Sequence, residues 1–172
     1  SSSSTLNITV DTAAPAAPAV TAITDDTGTA SDGITSDNQL IITGTAEANA
    51  SVEVFIDAGS IGTTTADGSG NWSFDHTSTT LADGSYAITA AATDVSGNTS
   101  AASSALNITV DTAAPAAPSV SAITDDTGTA SDGITSDNQL VITGTAEANA
   151  SVEVFIDAGS IGTTTADGSG NW

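Results

Sequence analysis

Short runs in which apolar residues alternate with polar ones are separated along the whole chain by clusters of Gly, Asp, Asn and Ser. No stretch carries the i, i+3, i+4 apolar spacing of a sustained helix, and the runs are rich in Val, Ile and Thr, so the pattern predicts strands throughout. Seven are expected in one 100-residue stretch: near 19–24, 38–44, 51–57, 61–66, 72–76, 86–93 and 103–110. Val52, Val54 and Ile56 alternate with Glu53, Phe55 and Asp57, which sends one face of that strand into a core. Leu40 and Ile42, Trp72 and Phe74, Tyr86 and Ile88, and Leu106, Ile108 and Val110 supply its partners by the same period-two rule. Residues 67–71, Asp-Gly-Ser-Gly-Asn, have hairpin-loop composition, and residues 81–86 resemble the approach to a tyrosine corner. The expected fold is all-β: immunoglobulin-like, seven-stranded Greek-key β-sandwich repeats in tandem.

The pattern then repeats. Residues 11–72 recur at 111–172 with three differences, Ala19/Ser119, Thr21/Ser121 and Ile41/Val141, and residues 6–10 are identical to 106–110. A repeat of this length can enclose its own core, unlike a solenoid unit of 20–45 residues. Residues 1–10 are therefore expected to hold the last strand of a preceding repeat, 11–110 a complete repeat, and 111–172 a truncated second one. Residues 11–18, Asp-Thr-Ala-Ala-Pro-Ala-Ala-Pro, and their copy at 111–118 fall at the boundaries. Their prolines fix φ and favour an extended joint stiffer than a Gly/Ser linker, although a proline that merely guards an edge strand reads the same way.

Charge changes the picture more than any other feature of composition. The 172 residues contain no Lys or Arg against 21 Asp and Glu, a formal charge of −21. With no cationic patch to neutralise phosphates, nucleic acid and anionic membranes are excluded as partners. Ordered alternation and 38% hydrophobic residues argue against disorder. Cysteine is absent, so no disulfide or thiolate site can staple the domains. The carboxylate repulsion needs another counterweight, and the abundant oxygen ligands suit a hard divalent cation, Ca2+.

The acids cluster. Asp25, Asp26, Asp32 and Asp37 lie within thirteen residues among Gly, Ser and Thr, and recur as Asp125, Asp126, Asp132 and Asp137. They can supply the six to eight oxygens calcium takes, although the spacing is not that of an EF-hand and a polar loop with capping Asp side chains is the competing reading. If consecutive strands run up and down, the 25–37 and 77–85 loops share one pole with Asp111, while Glu47, Asp67 and Asp94 share the other with Asp11. Asp11, Glu47 and Asp94, with Asp111 and Glu147 at the next boundary, are thus candidate ligands for an ion bridging neighbouring repeats; Asp94 equally suits a simple turn. Catalysis has little footing. His76 is the single histidine, no Ser/His/Asp arrangement surrounds the serines, and aromatics are 3% of the chain, too few to line a sugar cleft. We expect no enzyme activity.

Taken together, the boundary run VDTAAPAAP, the segment DDTGTASDGITSDNQLIITGTAEANASVEVFIDAG, then GNWSF, LADGSYAITAAATDVSGNTS and the return to LNITVDT resemble the bacterial immunoglobulin-like repeats of giant biofilm-associated, RTX-type adhesins exported by type I secretion. That resemblance implies an extender: repeats that contact neighbouring repeats of the same chain, stiffened by calcium near the junctions. They would project distal ligand-binding domains from the bacterial cell surface for adhesion and biofilm formation, without direct membrane insertion. The glycine-rich nonapeptides of RTX proteins are absent. The alternative is that the repeats themselves grip a carbohydrate, a mineral or ice, with Thr63, Thr64 and Thr65 as a possible face.

Overall fold

The computed structural model describes residues 5–124, 126–129 and 132–172, which divide into two compact units, Ser1–Ala113 and Ala114–Trp172. Unit 1 contains eight strands: β1 (Ala19–Ile23), β2 (Ile34–Thr35), β3 (Ile41–Thr45), β4 (Ser51–Ile56), β5 (Gly59–Thr65), β6 (Asn71–Asp75), β7 (Gly84–Thr93) and β8 (Leu106–Val110). They form two sheets, ordered β1-β3-β6 and β2-β8-β7-β4-β5, antiparallel except where β2 lies parallel to β8. The chain crosses repeatedly from one sheet to the other, as in a Greek-key sandwich. No helix long and apolar enough to cross a membrane occurs among the described residues.

Alternation decides what each strand buries. Leu40, Ile42 and Trp72 from one sheet meet Val52, Val54, Ile88, Ala90, Ile108 and Val110 from the other in a single small core. Each aliphatic side chain enclosed this way is worth about 1.5–3 kcal/mol against exposure. The β4–β5 hairpin turns on Asp57 and Ala58, both left-handed (φ 48° and 65°), a primed two-residue turn that matches strand twist. It starts β5 at Gly59, two residues earlier than alternation predicts. Tyr86 closes the expected tyrosine corner, its hydroxyl donating to the Ala82 carbonyl at 2.8 Å.

The strand that sequence reading misses is β2. Two residues are too few to show any period, and Ile34 and Thr35 are strand only because they pair with Thr109 and Val110 of β8. Thr35 is consequently buried.

In unit 2, β9 (Ser119–Ile123) pairs with β10 (Ile142–Thr145) and β11 (Ser151–Ile156) with β12 (Gly159–Thr165), in the registers of their counterparts in unit 1. Counterparts of β7 and β8 are not among the described residues, and the face they cover in unit 1 lies open: Leu40 is 0% exposed, Leu140 43%.

Both units pack a tryptophan on a glycine. A Cβ at Gly44 would run into the Ala19 carbonyl and the Trp72 indole, and one at Gly144 into the Ser119 carbonyl and the Trp172 indole. Because backbone and a buried ring cannot both retreat, Gly44→Ala should destabilise unit 1 by about 1–3 kcal/mol, the usual cost of overpacking. Urea unfolding followed by circular dichroism measures it; an unchanged midpoint would show that β1, β3 and the indole have slack there.

Candidate functional site

The carboxylates of unit 1 are held almost entirely by backbone N–H groups and hydroxyls, since the sequence offers no Lys or Arg. One device recurs. Residues 67–71 and 94–98 both read Asp-x-Ser-Gly-Asn, and in each the leading Asp accepts at Oδ1 from the N–H two and four residues on, at 2.8–2.9 Å. Gly70 and Gly97 take the left-handed conformation (φ 85° and 90°) that lets the loop close. Asp167 repeats the arrangement with Ser169 and Asn171. These bonds favour the ionised form: the Asn71 N–H, then that of Ser69, pulls Asp67 below the usual carboxylate range, and the Asn98 side-chain amide leads the same effect on Asp94.

At the pole where unit 1 begins, the linker residue Asp11 meets the second of these turns. Ser96 Oγ donates to Asp11 Oδ2, and Asn98 Nδ2 to the Asp11 carbonyl, both at 3.3 Å. Glu47 lies in the neighbouring loop, where the Asn49 N–H donates to the Asp67 carbonyl at 3.3 Å.

At the opposite pole the next copy of the linker is bound more fully. The Asp111 N–H donates to the Thr35 carbonyl at 2.9 Å, and Thr112 donates to Asp83 Oδ1 through its N–H at 3.0 Å and its hydroxyl at 2.8 Å. Those two bonds, the hydroxyl first, hold Asp83 below the ordinary range. Sequence reasoning missed Asp83. It placed the 77–85 loop beside Asp111, and the acid within that loop was the available signal. Asp111 and Asp11 each accept the N–H two residues on, Ala113 and Ala13, at 3.0 Å.

The 25–37 loop at this pole is organised around buried Thr35, whose hydroxyl donates to the Asp25 carbonyl (2.7 Å) and accepts the Asp37 N–H (3.0 Å). Asp26 Oδ2 accepts from Ser31 N–H (2.7 Å), Asp32 from Ile34 N–H (2.8 Å) and Asp37 from Gln39 N–H (3.0 Å). Asp26 Oδ1 is buried without a hydrogen-bond partner. In unit 2, Asp132 and Asp137 repeat the bonds to Ile134 and Gln139, and Glu147 accepts the Ala150 N–H at its carbonyl. Asp126 lies in the corresponding loop; Asp125 falls outside the described residues. The structure therefore gathers acids at both poles as strand alternation implies. Among the described residues no three of them converge closely enough to hold a metal ion by themselves.

The depressed acids make a pH prediction. A carboxyl whose folded pKa lies below its unfolded value of about 3.9 stabilises above that value, and the stabilisation is lost as pH falls through the folded pKa. Asp94→Ala should lower the urea midpoint of unit 1 at pH 7 and lower it less at pH 2, because the stabilisation from the ionised Asp94 falls away as the pH drops below the unfolded value toward the folded pKa. Equal losses at both pH values would contradict an ionised Asp94 as the group closing the turn.

Among solved structures, a 1.5-MDa bacterial ice-binding adhesin described for its host cell surface retention matches 92% of this chain at 24% identity with a TM-score of 0.44. A tetra-tandem repeat from the extending region of a large adhesion protein matches 80% at 25% identity with a TM-score of 0.35. This chain spans about half of the first (52%) and 37% of the second. No curated protein matches. The family model described as the bacterial Ig-like domain matches residues 13–112 and again 114–172, nearly the whole sequence in two copies. The chain belongs to the bacterial Ig-like domain family.

Proposed function

We propose that this chain is an extender segment of a bacterial surface adhesin, a series of sandwich domains that sets distance and stiffness between a cell-surface anchor and distal ligand-binding domains. It carries out no covalent chemistry in this reading. The observation that carries it is the treatment of the linker: the first copy is bound at one pole of unit 1 by Ser96 and Asn98, the second at the other pole by Asp83 and Thr35. In a tandem array, each linker Asp-Thr pair would be held by the repeat before it and by the repeat after it, restricting bending where a free Gly/Ser linker would not. Adhesion and biofilm formation are the expected roles of such a rod outside the cell.

Calcium belongs to this proposal. The buried, partnerless Asp26 Oδ1 supports it, as does a sequence with 21 acids and no Lys or Arg. Carboxylates drawn from Asp25, Asp26, Asp32, Asp37 and Asp111 would contribute at one pole, and from Asp11, Glu47 and Asp94 at the other, with loop carbonyls and hydroxyls completing each set, because no three of the acids among the described residues converge by themselves. When bound, the ion supplies the positive charge the chain lacks. Direct binding of ice, mineral or sugar through the Thr63–Thr65 row is less supported, because the Thr64 hydroxyl donates across to the Ser73 carbonyl at 2.8 Å. Alternate outward hydroxyls alone remain on that short strand.

Two measurements test the reading. Asp83→Ala should broaden the distribution of end-to-end dimensions seen by small-angle scattering while leaving the melting of unit 1 nearly unchanged; identical scattering curves would remove Asp83 from the joint. Calcium should raise the melting temperature by several degrees over sodium at matched ionic strength, since a bound ion at a hundredfold excess over Kd contributes about 2.7 kcal/mol per site. Equal effects of the two salts would mean charge screening without coordination.

A further inference from the structure

Six asparagines in this chain stand two residues before a Ser or Thr: Asn7, Asn49, Asn71, Asn98, Asn107 and Asn149. Such triplets are the acceptor pattern for N-linked sugars, and in a chain rich in Ser and Thr the pattern alone does not distinguish one from another. The structure does. Asn98 spends its side-chain amide on Asp94 at 2.8 Å and on the Asp11 carbonyl at 3.3 Å, and the Asn71 side chain bonds Asp67. Asn107 lies within β8, between β7 and β2, and the hydroxyl two residues on, Thr109 Oγ1, meets Ser85 Oγ at 3.1 Å. A sugar-transferring enzyme would first have to break these bonds.

Asn49 stands free of them. Its loop joins β3 to β4 and is pinned through the backbone: the Ala50 N–H donates to the Glu47 carbonyl at 3.1 Å, the Asn49 N–H to the Asp67 carbonyl at 3.3 Å, and Ala50 is buried. Around these anchors Glu47, Asn49 and Ser51 are all exposed. The left-handed conformation of Asn49 (φ 64°) is one that asparagine tolerates well, which accounts for the asparagine but not for the acid before it or the hydroxyl after it. Unit 2 reproduces the loop, with Asn149 at φ 64°, the Ala150 N–H 3.1 Å from the Glu147 carbonyl, and Glu147, Asn149 and Ser151 exposed. Of the six asparagines, only these two have an acid two residues upstream; the others follow Thr5, Ser69, Ser96 and Ala105.

We propose that Asn49 and Asn149 are glycosylation sites, acceptors for a saccharide activated by a diphosphate on its anomeric carbon. The asparagine side-chain nitrogen bonds to that carbon, the bond from the carbon to the diphosphate oxygen breaks with its electron pair leaving on the diphosphate, and the displaced amide proton passes to a base of the transferase. The Ser51 hydroxyl, two residues on, is the group by which such an enzyme orients the amide. Glu47 adds a negative charge at a fixed offset, by which a cationic enzyme surface selects this asparagine over the other triplets. The glycan stands on an exposed loop and displaces no core contact. Each site lies within one unit, so the proposal holds whether or not the repeats act as an extender.

The full-length protein is purified from its source bacterium and cut after glutamate, since the chain offers trypsin no Lys or Arg. Cleavage after Glu47 and Glu53 releases residues 48–53, Ala-Asn-Ala-Ser-Val-Glu, and residues 148–153 yield the same peptide. Mass spectrometry should find this peptide raised by the mass of a sugar. A single-sugar increment identifies a nucleotide-diphosphate donor, and a preassembled oligosaccharide a lipid-linked one. Ser51→Ala with Ser151→Ala should abolish the increment, whereas Ser51→Thr with Ser151→Thr should retain it. Glu47→Gln with Glu147→Gln should lower the glycosylated fraction read from the intact-protein mass. The serines are exposed, so the variants should fold as the parent does, which circular dichroism checks. Recovery of the 48–53 peptide only in its bare form, or a sugar that survives Ser51→Ala with Ser151→Ala, would overturn the proposal.

Discussion

A chain with 21 carboxylates and no Lys or Arg must satisfy its acids with neutral donors, and much of the local architecture follows. Backbone N–H groups do most of this work. The three Asp-x-Ser-Gly-Asn turns spend one carboxylate oxygen on two N–H donors each, and the loop acids Asp32, Asp37 and Asp111 each accept an N–H two residues on. An acid used this way is at once a turn-former and a charge kept in solvent, where its repulsion of the others is weakest. Strands are left nearly free of charge, and the acids collect where strands end.

That sorting gives the two poles their character and the linker its hold. Asp83 accepts from Thr112 and Thr35 from Asp111, so the first residues of the second linker are fastened to unit 1 before the prolines begin. The first linker is met at the other pole by a turn whose shape is already fixed by Asp94. In the proposed extender, stiffness at each joint would be assembled from the same hydrogen bonds that terminate the strands. Asp26 is the exception, with one buried oxygen that no protein donor reaches.

The two copies also act as a controlled comparison. Leu40 and Leu140 have the same local sequence and the same role in alternation, yet one is enclosed and the other open. Ile34 and Thr35 are a strand beside β8, and their identical counterparts are not. The hairpins β4–β5 and β11–β12, by contrast, keep the same register and the same left-handed turn residues in both units. The hairpin register is set by local sequence, whereas the enclosure of Leu40 depends on strands that follow it in unit 1.

The sequence by itself determined the class of fold, the positions of the long strands, the inward residues of β4, β7 and β8, and the tyrosine corner at Tyr86. Residues 67–71 form the turn their composition indicates, but it carries the chain from one sheet to the other and closes no hairpin, since β5 and β6 lie in different sheets. Period-two alternation and turn chemistry are local, and each names its own face or bend without reference to the rest of the chain. It also indicated which loops share a pole, because strand direction alternates. Only the tertiary structure decided that Ile34 and Thr35 make a strand, that Thr35 anchors the 25–37 loop, that Asp83 binds the linker, and that Gly44 must be glycine beneath Trp72. Each of these depends on a partner tens of residues away in sequence. The pattern of a two-residue segment, a lone acid or a single glycine carries no period from which such a partner could be read.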